Sequence, residues 1–246
     1  MSYNELLQRG TMDFPIELYE IDEHHPRYET VSHWHTELEM IHILNGEMNV
    51  RLNNSTYTAK QNDILFVNPE IIHAATPDDC RYECIVFDIS YLSSAFEGSR
   101  YFFEGLLDNE YLINEYIPFD NSEIHNLVRN VFNLMKNKSS GYKFKVIGEM
   151  YKMFGEIIDS HLYSNITGVT ELGADKNMHK LKNVLVFMRD NYDKPISLSD
   201  MADAADMSSK YFCYFFKEMT RKSPVEYLNT YRVEKAARKL ITSDIS

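Results

Sequence analysis

Four side chains in the first third of the chain could converge on one small partner: His33, His35 and Glu39 in the run HWHTELEM, and His73 further on. Residues 33, 35 and 39 share parity, so on extended strands they point to one side, whereas Trp34 and His42 have the opposite parity and face outward or pack. Three imidazoles and a carboxylate are a donor set for a divalent transition metal. The same groups also suit a polar pocket that hydrogen-bonds a small molecule, with Arg51 as a partner for an anion or a hydroxyl. Polar groups turned into an apolar interior must be satisfied by something.

A second set lies near the other end, in SSKYFCYFFK. On a helix capped by Ser208, the residues Phe212, Phe215, Phe216 and Met219 face inward, and Ser209, Lys210, Cys213, Tyr214 and Lys217 face outward. The helix before it is opened by the capping box Ser197-Leu198-Ser199-Asp200, keeps Leu198, Met201, Ala202 and Ala205 on one face, and ends in a tight turn at Asp206. Two short helices joined this way are a helix-turn-helix, whose second helix enters the major groove of DNA. The plainer reading of the same spacing is a helical hairpin with a solvated charged face.

The elements that must position these residues follow from the patterning. Between about Ile16 and Ile89 the runs ELYEI, EMIHIL, EMNVRL, STYTA, DILFV and YECIVFDI alternate with turn signals at Asn45-Gly46, Asn53-Asn54 and Asn68-Pro69. Many short strands at close spacing predict a small barrel or jelly roll. Beyond Tyr91 the period changes to helical, with Ile124, Leu127, Val128, Val131 and Met135 on one stripe and Phe144, Ile147, Tyr151, Phe154 and Ile158 on another. Those stripes either pack on the barrel or pair with a twin. Residues 164–177, SNITGVTELGADKN, lose periodicity and read as a linker. An amphipathic helix through Leu181, Val184, Leu185 and Met188 then precedes the helix-turn-helix, and Ser223-Pro224-Val225-Glu226 opens a longer helix.

Composition narrows the class. Of 246 residues, 44% are hydrophobic, enough for real cores, and no run is long and apolar enough to span a membrane. The N-terminus MSYNELLQRG has no basic n-region or apolar h-region, so a cytoplasmic protein is expected. Cys80, Cys84 and Cys213 have no metal-knuckle spacing and read as free thiols packed as small hydrophobes. The net charge of −12 is unevenly divided: residues 1–175 carry 12 basic against 28 acidic side chains, and residues 176–246 carry 13 against 9. An acidic body bears a mildly basic tail, which keeps nucleic acid open as a partner.

The stretch Ile196 to Leu240, with its Leu198/Met201-Ala202 core, Ser208 cap, Phe216-Lys217, Ser223-Pro224, Tyr227-Leu228 and Arg232…Ala236…Leu240 series, resembles the first half of the DNA-binding domain of AraC-family transcription regulators. The resemblance implies that Lys210, Cys213 and Tyr214 meet bases, with Ser209 and Lys217 near the backbone. Three features depart from the family. Arg221 stands where a glycine usually ends the recognition helix. Tyr214 stands where arginine is frequent. The chain also stops at ITSDIS, where the family proceeds to a second helix-turn-helix, so weak DNA binding by this chain alone is expected. His33-x-His35-x3-Glu39-x6-Gly46, with His73 after Pro69, is in turn similar to the two cupin motifs, the second of which has Glu70 and Ile71 where cupin enzymes tend to show glycine.

These readings together imply a β plus α protein. Residues 1–100 form a cupin-like effector-sensing barrel (jelly roll), 101–163 a helical dimerisation segment, 164–177 a linker, and 178–246 an all-α helix-turn-helix region holding the first unit and its connector helix. The expected function is that of a ligand-responsive, DNA-binding transcription regulator rather than an enzyme, with no resident cofactor. Its expected partners are promoter DNA, a small-molecule effector such as a sugar and a second copy of the chain. The effector would meet His33, His35, Glu39, Arg51 and His73. Two alternatives stay open: a metal-dependent cupin enzyme using His33, His35, Glu39 and His73 as ligands, and a sensor that acts by dimerisation without specific DNA binding.

Overall fold

The structure, a computed structural model, describes residues 3–4, 9–11, 13–95, 97–120, 122–165, 176–220 and 222–242. They fall into two compact units, Leu7–Val169 and a second that takes in Met1–Leu6 and Thr170–Ser246.

In the first unit the strands β1 (Ile16–Ile21), β2 (Thr30–Trp34), β3 (Leu38–Leu52), β4 (Ser55–Lys60), β5 (Ile64–Val67) and β6 (His73–Phe87) build one antiparallel sheet. Its spine is β3 against β6, paired from Leu38↔Phe87 to Leu52↔His73. On the outer edge of β3 lie β5, from Glu39↔Val67 to His42↔Ile64, and β4, from Glu47↔Lys60 to Leu52↔Ser55. On the outer edge of β6 lie β1 and β2. One face of the sheet encloses Ile21, Ile41, Ile43, Val50, Leu65 and Tyr82 among others, together with Cys80 and Cys84.

The expected hairpin at Asn45-Gly46 is not formed. β3 runs straight through it, and the register against β6 shifts between Ile43 and Asn45 and again between Asn45 and Glu47. Gly46 sits at φ 75°, and a Cβ there would lie 2.0 Å from the Asp79 carbonyl oxygen. Glycine is thus required for a close crossing that bulges the strand and lets it continue. The bulge also inverts the alternation: odd residues Ile41 and Ile43 face the enclosed core before it, even residues Met48, Val50 and Leu52 after it. The Asn53-Asn54 turn does form, with Asn53 at φ 48° and Leu52 paired to Ser55.

The opposite face of the sheet is covered by helices. α1 (Ile89–Ala95), α2 (Arg100–Leu107), α3 (Glu123–Asn137) and α4 (Tyr142–Asp159) share one core with Leu38, Met40, Phe66, Ile85 and Phe87. The α3 stripe of Ile124, Leu127, Val128, Val131 and Met135 is buried as its spacing predicts. On α4 the buried set is rotated to Val146, Met150, Met153, Phe154 and Ile157, which leaves Phe144 87% exposed. Both stripes are therefore spent on the chain's own sheet, each fully buried Val, Leu, Ile or Phe contributing about 1.5–3 kcal/mol.

Between α2 and α3 the chain returns to the sheet. β7 (Tyr111–Ile113) pairs with β9 (Tyr163–Asn165), and β8 (Tyr116–Ile117) pairs with β5. The buried Asp63 carboxylate accepts from the Tyr116 hydroxyl and the Phe119 amide, and the Asn68 amide exchanges two hydrogen bonds with the Ile113 backbone. Strands and helices thus form a single compact unit across residue 100.

The second unit holds α5 (Lys176–Asn191), α6 (Leu198–Ala204), α7 (Ser209–Thr220) and α8 (Pro224–Thr242). The capping box at Ser197 and Asp200 is formed in both directions, and a reciprocal pair of bonds joins Ser223 and Glu226 at the start of α8. Asp206, at φ 52°, turns the chain between α6 and α7. Leu181, Val184, Met188, Met201, Ala202, Phe212 and Phe216 are buried. Arg232 donates from Nε to the Tyr192 carbonyl at 2.7 Å and from its terminal nitrogen to the Lys194 carbonyl at 2.7 Å, holding α8 to the end of α5. Arg221, where the family usually has a glycine, lies outside the described residues, as do residues 166–175 of the expected linker 164–177; the ends of that stretch belong to β9 (Ser164, Asn165) and α5 (Lys176, Asn177). No helix among the described residues is long and apolar enough to cross a membrane.

Candidate functional site

His33 and His73 are register partners across β2 and β6, with ring centroids 4.0 Å apart. His35 follows β2 in the short loop to β3, its ring 4.8 Å from that of His73. Glu39 rises from the start of β3. All four are buried, between 1% and 8% exposed. A ligand atom from each of the three histidines lies within 4.8 Å of the others. The sheet therefore brings His73 together with His33, His35 and Glu39, the three residues grouped by parity.

Their orientation is set by the backbone. Nδ1 of His33 lies 2.9 Å from the Val31 carbonyl, Nδ1 of His35 3.0 Å from the Glu37 carbonyl, and Nδ1 of His73 2.9 Å from the Ile71 carbonyl. A carbonyl oxygen only accepts, so Nδ1 carries the proton and donates in all three rings. In a neutral ring of this tautomer Nε2 is the acceptor atom, and in His35 it faces Glu39. The neighbouring turn is fixed too: the Glu70 amide donates to the His35 carbonyl at 2.7 Å, and Glu70 itself lies at φ 64°. That is the left-handed conformation in which glycine is at ease, which accounts physically for the glycine of the cupin pattern at this turn and for the strain that Glu70 carries.

Glu39 Oε2 is 3.1 Å from His35 Nε2 and 3.4 Å from His73 Nε2. Burial works to lower the proton affinity of His35, but the hydrogen bond and charge of Glu39 outweigh it and hold the imidazole above its usual range. Burial likewise works to raise the Glu39 carboxyl, and the hydrogen bond from His35 with the adjacent His73 holds it well below the usual carboxylate range instead. The His73 contact lacks hydrogen-bond geometry, and His73 Nε2 is buried without a hydrogen-bond partner. Three histidines with ligand atoms within 4.8 Å of one another, and the Glu39 carboxylate beside two of them, are a donor set of the kind that suits a divalent metal.

Arg51 is not brought to this cluster. It is exposed on β3 beyond the bulge and bonds to Ser32 Oγ, while its neighbour Leu52 faces inward. The inverted alternation explains this: Arg51 shares parity with Glu39, yet Gly46 lies between them. Trp34 and His42, expected outside or packed, are both buried. His42 Nδ1 lies 2.9 Å from Glu83 Oε1, and Lys136 of α3 pairs with the same carboxylate. Sequence reasoning missed that buried group, because Glu83 and Lys136 are distant in the chain and look like ordinary surface charges.

On α7, Ser208, Lys210 and Lys217 are exposed, Tyr214 is 67% exposed, and Ser209 and Cys213 are half-buried. All six lie on or beside the face that the spacing turns outward. Tyr211, 57% exposed, joins them and was missed. Its spacing of three from Ser208 and Tyr214 is the signal that could have found it.

Residues 15–154 match the family described as AraC-like ligand binding domain. Among curated proteins, the chain is 24% identical over 246 residues to the uncharacterized HTH-type transcriptional regulator YdeC of Bacillus subtilis (strain 168), covering 94% of this chain and 80% of that one. It is 23% identical over 227 residues to the uncharacterized HTH-type transcriptional regulator YdiP of Escherichia coli (strain K12), covering 90% and 72%. Among solved structures it is similar to the AraC-like transcriptional activator CuxR, with TM-score 0.46, 8% identity and coverage of 91% and 74%.

Proposed function

Since that match spans more than half of its length, the chain belongs to the AraC-like ligand-binding-domain family, and from this we infer that it is a ligand-responsive transcription regulator of AraC type. The first unit senses a small ligand and the second engages DNA. The observation that carries the reading is the combination, in one chain, of a buried convergent polar cluster and a capped helix-turn-helix with an exposed, basic and aromatic second helix.

The ligand site is the wall formed by His33, His35, Glu39 and His73, in which His73 Nε2 is buried without a hydrogen-bond partner. The DNA-facing residues are Ser208, Ser209, Lys210, Cys213, Tyr214 and Lys217, joined by Tyr211. Lysines at the edges of α7 meet phosphates and the tyrosines reach base edges or stack against sugars. A homodimer is the expected assembly. What supports it is the face of α4 carrying the exposed Phe144 and, one and two heptads from Gly141, Gly148 and Gly155, beside which a Cβ would meet nothing within 4 Å.

Selection of genomic DNA fragments by the purified chain tests the reading. Enrichment of a common sequence by the wild type, lost in Lys210→Ala/Tyr214→Ala, is the expected result. Equal recovery by both proteins, with no shared sequence, would contradict it.

A further inference from the structure

The turn between β5 and β6, Asn68-Pro69-Glu70-Ile71, is bonded on one side to the ligand cluster and on the other to the strands from which the chain runs on to the second unit. We propose that this turn carries occupancy of the cluster to β9, with Asn68 and Glu70 as positioning residues; the proposal rests on the reading above that the cluster is the sensor site.

Three observations carry it. First, the turn is fastened to two of the histidines. His73 Nδ1 donates to the Ile71 carbonyl at 2.9 Å, and the Glu70 amide donates to the His35 carbonyl at 2.7 Å. A ligand that draws the His73 imidazole toward itself therefore pulls on the backbone of the turn. Second, the turn is strained. Glu70 lies at φ 64°, in the left-handed region that a non-glycine residue avoids, and the Ile71 amide closes the turn onto the Asn68 carbonyl at 3.2 Å. Such a conformation persists only while the surrounding bonds over-determine it, so losing one of them releases the residue to its ordinary backbone region. The turn is thus an element with two discrete arrangements, which is what coupling between sites requires.

Third, the far side of the turn grips the outgoing strands. The Asn68 side chain, fully buried, donates from Nδ2 to the Ile113 carbonyl at 2.8 Å and accepts the Ile113 amide at 2.9 Å. Glu70 Oε2 accepts from Asn109 Nδ2 at 3.3 Å, at the end of α2. Ile113 on β7 is the register partner of Tyr163 on β9, and the Asn114 amide donates to the Leu162 carbonyl at 2.9 Å. β9 ends at Asn165, and the next described element is α5, which begins the helices of the second unit at Lys176. A short series of links, from His73 through Ile71, Asn68 and Ile113 to Tyr163, joins the cluster to the strand that precedes them.

Hydrogen exchange of the full chain, read on peptides by mass spectrometry, tests the route without any ligand, because it reports the opening of each segment separately. His73→Ala, which removes the bond to Ile71, is expected to speed exchange in β7 and β9 at least ~5-fold while α4 and the surface control His24→Ala stay at the wild-type rate. In an Asn68→Ala background, where the turn no longer grips Ile113, β7 and β9 already exchange fast and His73→Ala adds nothing further. Residues that only stabilise the unit would speed exchange throughout it, in additive steps. Circular dichroism identifies a variant that fails to fold; His73→Phe, which keeps a ring without the donor, and Glu70→Gly, which relieves the strain, then replace His73→Ala and Asn68→Ala with the same expectations. A uniform rise, additive rises, or unchanged exchange in β7 and β9 would overturn the proposal. If the selective rise is seen but DNA affinity ignores every sugar, carboxylate or divalent metal that raises the wild-type Tm, the route stands and the sensor reading falls. If such a compound shifts DNA affinity equally in the wild type and in Asn68→Ala, the sensor reading stands and the route falls.

Discussion

His42 and Glu83 face each other across β3 and β6 with Nδ1 2.9 Å from Oε1, on the side of the sheet opposite Glu39. Glu83 is 2% exposed, and Lys136 reaches it from α3, so a buried carboxylate ties the two central strands of the sheet to a helix. Removing one partner of a buried pair leaves an uncompensated charge, which costs more than the pair contributes. Lys136→Met is expected to lower stability by about 3–5 kcal/mol, read as a lower urea midpoint at unchanged m-value. Adding Glu83→Gln to that variant should recover about 1 kcal/mol or more. Additive losses would show that the charges are not coupled.

Gly46 is the position where backbone geometry decides the register of β3. Its φ of 75° and the approach of Asp79 leave no room for a side chain. Gly46→Ala is expected to destabilise by more than the about 1 kcal/mol that a left-handed alanine costs alone. Gly148→Ala, within α4 and facing open space, should stabilise by about 0.5–1 kcal/mol. Equal effects of the two would contradict the bulge as described.

His125, at the start of α3, is 1% exposed, and burial holds its imidazole below the usual range although Asp120, 3.2 Å away, pulls the other way. The unfolded chain therefore binds this proton more tightly than the folded one. The stability it contributes is complete above the ordinary histidine pKa of about 6.5 and is lost as pH falls through that value toward the lower folded one. Urea unfolding between pH 7.5 and 5 should show a shallower loss in His125→Gln than in the wild type. An identical pH profile would remove His125 from the account.

For the DNA-facing helix, Lys210→Ala and Lys217→Ala should each weaken binding uniformly across sequences and reduce the salt dependence by about one ion. Tyr214→Ala should instead cost affinity mainly for the selected sequence, by about 1–3 kcal/mol if it reads a base edge. Salt titrations by fluorescence anisotropy separate the two effects. A salt slope unchanged in both lysine variants would place DNA elsewhere.

Much of this was legible in the chain, and the exceptions have physical causes. Parity alone grouped His33, His35 and Glu39, because strand alternation holds over short distances. It failed for Arg51, since one bulge at Gly46 inverts every later position. The α3 stripe was read correctly, whereas on α4 the rotation away from Phe144 depends on where the sheet sits, which periodicity does not encode. The capping boxes were visible as local patterns. The carbonyls of Val31, Glu37 and Ile71, which orient the three histidines, have no side-chain signature at all. The His42–Glu83–Lys136 group needed strands and a helix to be placed in three dimensions.

The central claim is that occupancy of the His33/His35/Glu39/His73 site changes DNA binding by the same chain. It is tested most directly by measuring affinity for a selected DNA sequence while screening sugars, carboxylates and divalent metals, in the wild type and in Glu39→Gln. The account predicts that a compound which raises the wild-type Tm also shifts its DNA affinity at least about 5-fold, and that Glu39→Gln abolishes the shift while keeping basal DNA affinity. DNA affinity that stays constant under every compound that stabilises the wild type would contradict it.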